Sequence, residues 1–222
     1  MDWQALWLSL QLGGMTVLVL IPIGIAIGRG LATARFAGRG LVEAGLALPL
    51  VLPPTVVGFY LLVALGGNSW IGSTWRGLFG NTLVFSFEGL LVASVFVNIP
   101  FAVQPIQRAF EAIGSELREA AASCGLSWWR TLWRIELPLA WPGILTGMVL
   151  TFAHTLGEFG VVLMVGGSIP GETKTIAIAI YDRVQAFDDA AAARMSAVLL
   201  LISLCTIALS YVLTQRIGQR RA

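Results

Sequence analysis

Charged side chains are scarce in this sequence: they make up 12% of its 222 residues, about half the share of roughly 25% found in ordinary soluble domains. A water-exposed globular design is excluded by that deficit, and a membrane chain is the first reading. Lysine occurs once, at Lys174 behind Thr173, so no Gly-Lys-Ser/Thr sequence closes a glycine loop and P-loop binding of ATP by this chain is excluded. Histidine also occurs once, at His154, and no nucleophile, base and orienting group form an enzyme-like set. The two cysteines, Cys124 and Cys205, lack metal-ligand spacing and any reason to meet, which leaves them as incidental thiols. A net charge of +2 without a basic block gives no support for nucleic-acid binding. Internal repeats and low-complexity tracts are absent as well.

What the sequence does have is apolar length, with 57% hydrophobic residues. Five stretches, Leu6 to Gly28, Leu41 to Leu65, Thr82 to Val103, Leu137 to Val165 and Ala197 to Leu213, meet or approach the roughly 20 residues needed to cross a hydrocarbon core. Unpaired backbone amides are not tolerated in lipid, and the runs are too long and uniform for barrel strands, so each is expected to be helical. The fold class is therefore all-α: one polytopic domain, residues 1–222, with about five transmembrane helices. The first stretch carries Asp2 and no positive residue ahead of it, is long, and is followed by Arg29, which distinguishes it from a cleaved signal peptide.

With an external N-terminus, ten arginines fall on one side: Arg29, Arg35, Arg39, Arg108, Arg118, Arg130, Arg134, Arg216, Arg220 and Arg221. Only Arg76, Lys174, Arg183 and Arg194 fall on the other. The positive-inside rule then puts the C-terminus and the loop 104–138 in the cytoplasm. Pro22, Pro49, Pro53, Pro54 and Pro100 lie in or beside the spans, as packing kinks or as breaks of the kind transporters use. The run Leu48 to Thr55 is dense enough to mark a functional break. The piece Thr175 to Phe187, interrupted by Asp182 and Arg183, is too short to span and reads as an interfacial or re-entrant helix.

In the loop 104–138, Ser115 can cap a helix with Glu116 and Glu119 near its positive end, Gly125 can stop it, and Ser127 can cap a second helix through Trp133 before re-entry at Leu137-Pro138. Trp128, Trp129 and Trp133 then need an aromatic belt, the bundle or a partner to cover them. Glu119-Ala120-Ala121, three residues, Gly125, nine residues, then Ile135, Glu136, Leu137 and Pro138 resembles the EAA loop of ABC importer permeases at every fixed position. That resemblance implies the type I importer permease fold and a coupling hairpin seated on a separate ATPase subunit, through Glu119, Ala120, Ala121, Gly125, Ile135, Leu137 and Pro138. It also implies no cofactor in this chain, ATP and Mg bound by the partner, a second copy of the chain, two ATP-binding cassette subunits, an extracytoplasmic oxyanion-binding protein, and a bacterial or archaeal inner membrane.

Leu48 to Tyr60, Leu156-Gly157-Glu158-Phe159-Gly160, Ile169 to Thr175 and Ala179-Ile180-Tyr181 resemble the molybdate permeases among these importers, over nearly all of the chain beyond Arg39. The pattern departs at Val161 and Val162, where a small residue and a threonine or similar residue are expected. Tungstate and sulfate permeases are the alternatives. An oxyanion must exchange its water shell for protein donors and still leave, which favours neutral donors over buried arginines. Thr55, Ser94, Asn98, Thr151 and Thr155 are candidates, each against the reading that it bonds its own helix or a neighbour. His154 and Glu158, four apart on one face of the fourth span, can brace a pore or gate or join two helices. Their remote alternative is the proton relay or metal site of an ion-coupled carrier or intramembrane enzyme, for which two ligands are too few to make a typical zinc site.

Overall fold

A computed structural model describes the backbone of residues 1–219 and the side chains of residues 1–212. Arg220, Arg221 and the side chain of Arg216, three of the arginines counted above, lie outside the described residues. Every regular element among the described residues is helical.

Helix α1 (Trp3–Thr33) starts where the Asp2 carboxylate accepts the Ala5 N–H at 3.0 Å, and it runs past both ends of the apolar window. Helices α2 (Arg39–Val51) and α3 (Pro54–Leu65) replace the expected single span from Leu41 to Leu65, meeting at 107°. Pro53 and Pro54 supply no N–H to continue α2, whereas Pro54 suits the first turn of α3. A short helix, α4 (Trp70–Phe79), lies between two expected spans and is capped by Ser69, whose hydroxyl accepts the Gly72 N–H at 2.9 Å.

Helix α5 (Phe87–Glu111) begins later and ends later than the expected Thr82 to Val103. The Ser86 hydroxyl sets its start by accepting the Gly89 N–H at 3.2 Å, and hydrogen bonding carries the helix beyond its apolar stretch. Helix α6 (Ser115–Ser123) is followed by α7 (Trp128–Thr131), a π turn over Leu132–Glu136, and α8 (Leu137–Gly157). The fourth apolar helix is therefore continuous from Trp128 to Gly157, rather than spanning Leu137 to Val165. It stops before Glu158, and the remaining apolar residues form the separate short helix α9 (Gly160–Gly166). Helix α10 (Ile176–Gln185) occupies the expected interfacial piece, and α11 (Asp189–Gln219) contains the fifth span.

Among the described residues four helices are long and apolar enough to cross a membrane, and counting the bent α2–α3 pair as one span brings the number to five. The core lies where α1, α5 and α8 pack, around Leu20, Ile21, Ala102, Ile106, Phe110 and Ile144. Small residues permit that approach: a Cβ on Gly143 would stand 2.3 Å from the Ala109 Cβ and 2.6 Å from the Pro105 carbonyl oxygen. A second cluster joins α3 and α9 through Val57, Val161 and Val165. Gly58 lies so close to α9 that its Cβ would meet Met164 at 2.8 Å. Helix α11 turns a mostly exposed apolar face outward, including Leu200, Leu204 and Leu209.

Candidate functional site

The hairpin made by α6 and α7 is closed by backbone chemistry. Gly125 adopts a φ of +76°, its N–H donates to the Ala122 carbonyl at 2.9 Å, and the Leu126 N–H donates to the Ala121 carbonyl at 3.1 Å. These paired bonds form the Schellman stop that a left-handed residue after a helix allows. No atom lies within 4 Å of a Cβ added at Gly125, so its backbone conformation, not space, requires glycine. Ser115 does not cap the first helix: Gly114 holds the cap position and Ser115 is the first helical residue. Glu116 lies in the first turn and Glu119 one turn later, because the helix starts at Ser115 itself. Ser127 precedes α7, but its side chain makes no capping bond and α7 runs directly into the π turn.

Of the motif residues, Glu119, Ala120, Gly125 and Pro138 are exposed, Ile135 and Leu137 are half-buried, and Ala121 is buried. Glu119 and Ala120 thus face away from the chain's own core. Trp128, Trp129 and Trp133 form an exposed edge-to-face series with centroid separations of 5.3 and 5.6 Å. The π turn ends two residues before Pro138, whose ring would crowd a regular helical turn, and such turns are inserted where the i to i−4 ladder is disturbed.

Glu136, merely a spacer in the motif, has a side chain with no solvent exposure. Its Oε2 accepts the Arg29 Nε–H at 2.6 Å and its Oε1 accepts the Arg118 Nε–H at 2.6 Å. Arg118 also donates to the Phe110 carbonyl at 2.8 Å, while the Arg29 guanidinium lies 5.5 Å from the Trp128 ring centroid. The only sequence signal for this arrangement is a lone carboxylate in an otherwise apolar re-entry segment.

Deeper in the bundle, Thr16 of α1 donates to Ser94 of α5 at 2.9 Å, and Asn98 Nδ2 donates to Thr155 of α8 at 3.1 Å. Thr155 donates to the Thr151 carbonyl at 2.8 Å, and His154 Nδ1 lies 3.2 Å from Asn98 Oδ1. Ser94, Asn98 and Thr155 are buried and bonded to one another or to their own helices; the buried Thr151 hydroxyl has no hydrogen-bond partner among the described residues. Thr55, near the start of α3, is exposed and apart from this cluster. Thr16 was not singled out by the sequence, because one hydroxyl in an apolar helix is common and its partner is distant in the chain.

His154 and Glu158 do not share a helical face, because α8 ends at Gly157 and Glu158 has extended backbone. Glu158 Oε1 instead accepts the Val161 N–H at 2.9 Å and caps α9. Its Oε2 lies 3.8 Å from His154 Nε2, longer than a hydrogen bond, while the imidazole stacks on Phe101 with centroids 4.1 Å apart. Both residues line a cavity of about 150 Å³ beside the α2–α3 break, with Pro54, Val57, Val97 and Phe101 among its walls. Val161 and Val162, where the sequence departs from the expected pattern, are both 1% exposed and fill apolar cores. No group of three side chains able to hold a metal occurs among the described residues.

Residues 20–219 match the family described as binding-protein-dependent transport system inner membrane component. The chain is 47% identical over 202 residues to the molybdenum transport system permease protein of Azotobacter vinelandii, covering 91% of this chain and 89% of that protein. It is 39% identical over 222 residues to the molybdenum transport system permease protein of Escherichia coli, covering 100% of this chain and 96% of that protein. The fold matches a chain in the crystal structure of a bacterial ABC transporter for the acidic polysaccharide alginate, with a TM-score of 0.77 at 18% identity, covering 96% of this chain and 79% of that one.

Proposed function

The chain belongs to the family of binding-protein-dependent transport system inner membrane components, and from that membership we propose that it forms the pathway by which an ABC importer takes up molybdate. It is a multi-pass inner-membrane permease subunit. The observation that carries the mechanism is the hairpin, whose Ala121 is buried while Glu119 and Ala120 are exposed. A rigid helix presenting a small residue and a carboxylate suits close seating in a groove of an ATPase. Similarity to molybdenum permeases along nearly the whole chain supports the cargo.

In the proposed assembly, two copies of the chain enclose the pathway, since five spans lack a second half to close a pore. Two ATP-binding cassette subunits, holding ATP and Mg, sit against the two hairpins. An oxyanion-binding protein delivers the cargo at the opposite face. The N-terminus is outside, and the hairpin within residues 104–138 and the C-terminus are cytoplasmic, as the arginine distribution favours. ATP binding favours one of two rigid-body arrangements, and the hairpin passes that preference to the spans.

The dianion passes the cavity beside the α2–α3 break. The Glu158 carboxylate lines that cavity and opposes stable residence of a dianion there. Thr55, an exposed neutral donor next in the chain to Pro54 of its wall, holds the anion weakly enough for release. Ser94, Asn98 and Thr155 are turned toward one another, so they hold α5 against α8 rather than meeting cargo. ATP-dependent molybdate uptake in vesicles holding the chain, its ATPase and its binding protein, with sulfate as competitor, tests the reading. Sulfate-resistant uptake of molybdate is expected. Uptake of sulfate instead overturns the cargo, and ATP-independent uptake overturns the importer mechanism.

A further inference from the structure

We propose that Glu136 is a positioning residue that ties the hairpin to the bundle and carries hairpin movement into α1 and α8, an inference resting on the reading of the hairpin as the ATPase seat. Helix α6 has a weak apolar hold on the rest of the chain, with Ala121 its one buried residue. Its firm attachment is charged: Arg118 of α6 reaches Glu136 in the π turn and the Phe110 carbonyl near the end of α5. The second oxygen of the same carboxylate is held by Arg29 of α1, whose guanidinium also lies over Trp128 of α7.

One fully buried carboxylate therefore joins α1, α6, α7 and the head of α8. Hydrogen bonds to ionised groups are short and directional, so they fix relative orientation where a few apolar contacts allow sliding. A buried ion pair is weak evidence for stability, and its better attested use is to hold register. The π turn that carries Glu136 supplies a local irregularity at which α7 can shift against α8, as such turns often do at functional positions. The two arginines are partly exposed, at 24% and 23%, while the carboxylate between them is not, so either arginine can move without leaving the carboxylate wholly unpaired.

The test uses the complete reconstituted importer and measures both ATP hydrolysis and molybdate uptake. Arg118→Gln leaves the Arg29–Glu136 pair in place, so the buried charge keeps a partner. It is expected to lower uptake per ATP hydrolysed about tenfold, with hydrolysis itself changing by less than about twofold. Arg118→Gln combined with Glu136→Gln is expected to be no worse than Glu136→Gln alone, because both changes break the same connection. Parent-like uptake per ATP in Arg118→Gln, or fully additive losses, overturns the proposal.

Spin labels at Thr33→Cys and Ser123→Cys, with Cys124 and Cys205 replaced by serine, supply a second readout in the same vesicles. The distance distribution is expected to broaden in Arg118→Gln, and an unchanged distribution overturns the proposal even if transport falls. Glu119→Lys is run alongside. If it transports normally, the hairpin reading fails and this inference with it; if it is inactive while Arg118→Gln is normal, only this inference fails.

Discussion

The outer face of the hairpin and the polar cluster in the bundle put polar side chains to opposite uses. In the cluster, Thr16, Ser94, Asn98, His154 and Thr155 face one another across α1, α5 and α8. On the hairpin, the Glu119 carboxylate has no hydrogen-bond or ion-pair partner among the described residues, and Ala120 beside it is exposed. A polar group in a bundle without water must find its partners inside the chain, whereas one on an exposed helix can remain free for another protein. Changes at the hairpin should therefore affect transport and spare stability, and changes in the cluster should affect stability first.

The strongest test of that contrast is Glu119→Lys. Reversing a charge at an interface costs several kcal/mol, so ATP-dependent uptake should fall about a hundredfold while the thermal midpoint of the purified chain stays unchanged. A matching loss of thermal stability would erase the distinction. Asn98→Ala should do the reverse: loss of its contacts with Thr155 and His154 should cost about 1 to 2 kcal/mol, seen as a lowered midpoint with transport retained by the folded fraction.

Gly125→Ala sharpens the comparison within the hairpin, since its left-handed φ should cost about 1 kcal/mol although the site has ample room. Gly125→Asn should recover most of the uptake lost by the alanine variant, because asparagine tolerates that conformation; equal defects would point to a steric cause instead. Ser69→Ala should give the smallest effect, about 0.5 to 1 kcal/mol through the lost cap of α4. Its uptake per folded protein should match the parent, and a transport defect without instability would give α4 a role that this comparison denies it.

The legibility of the sequence divides along the same line. The hairpin was readable because its signals are local: acidic residues, two small residues, a glycine at a helix end and Leu-Pro at re-entry. The α2–α3 break was readable from Pro53 and Pro54 for the same reason. The ends of α5 and α8 were displaced because hydropathy marks where lipid can surround a helix, while Ser86 and Glu158 mark where hydrogen bonding starts or stops one. Glu136 was passed over because its meaning depends on Arg29, 107 positions away, and Arg118, 18 positions away. His154 and Glu158 stood out as ionisable residues in an apolar region. Their assignment to one helical face failed because a helix terminus falls between them.

The outward face of the hairpin is the central element of this account, and its accessibility tests it most directly. In a chain with Ala120→Cys and with Cys124 and Cys205 replaced by serine, maleimide labelling would be followed in inside-out vesicles with and without the ATPase subunit. Labelling at least about tenfold slower is expected when the ATPase is present, as for a surface buried on docking. Equal labelling rates in the two preparations, with the complex assembled, would contradict it.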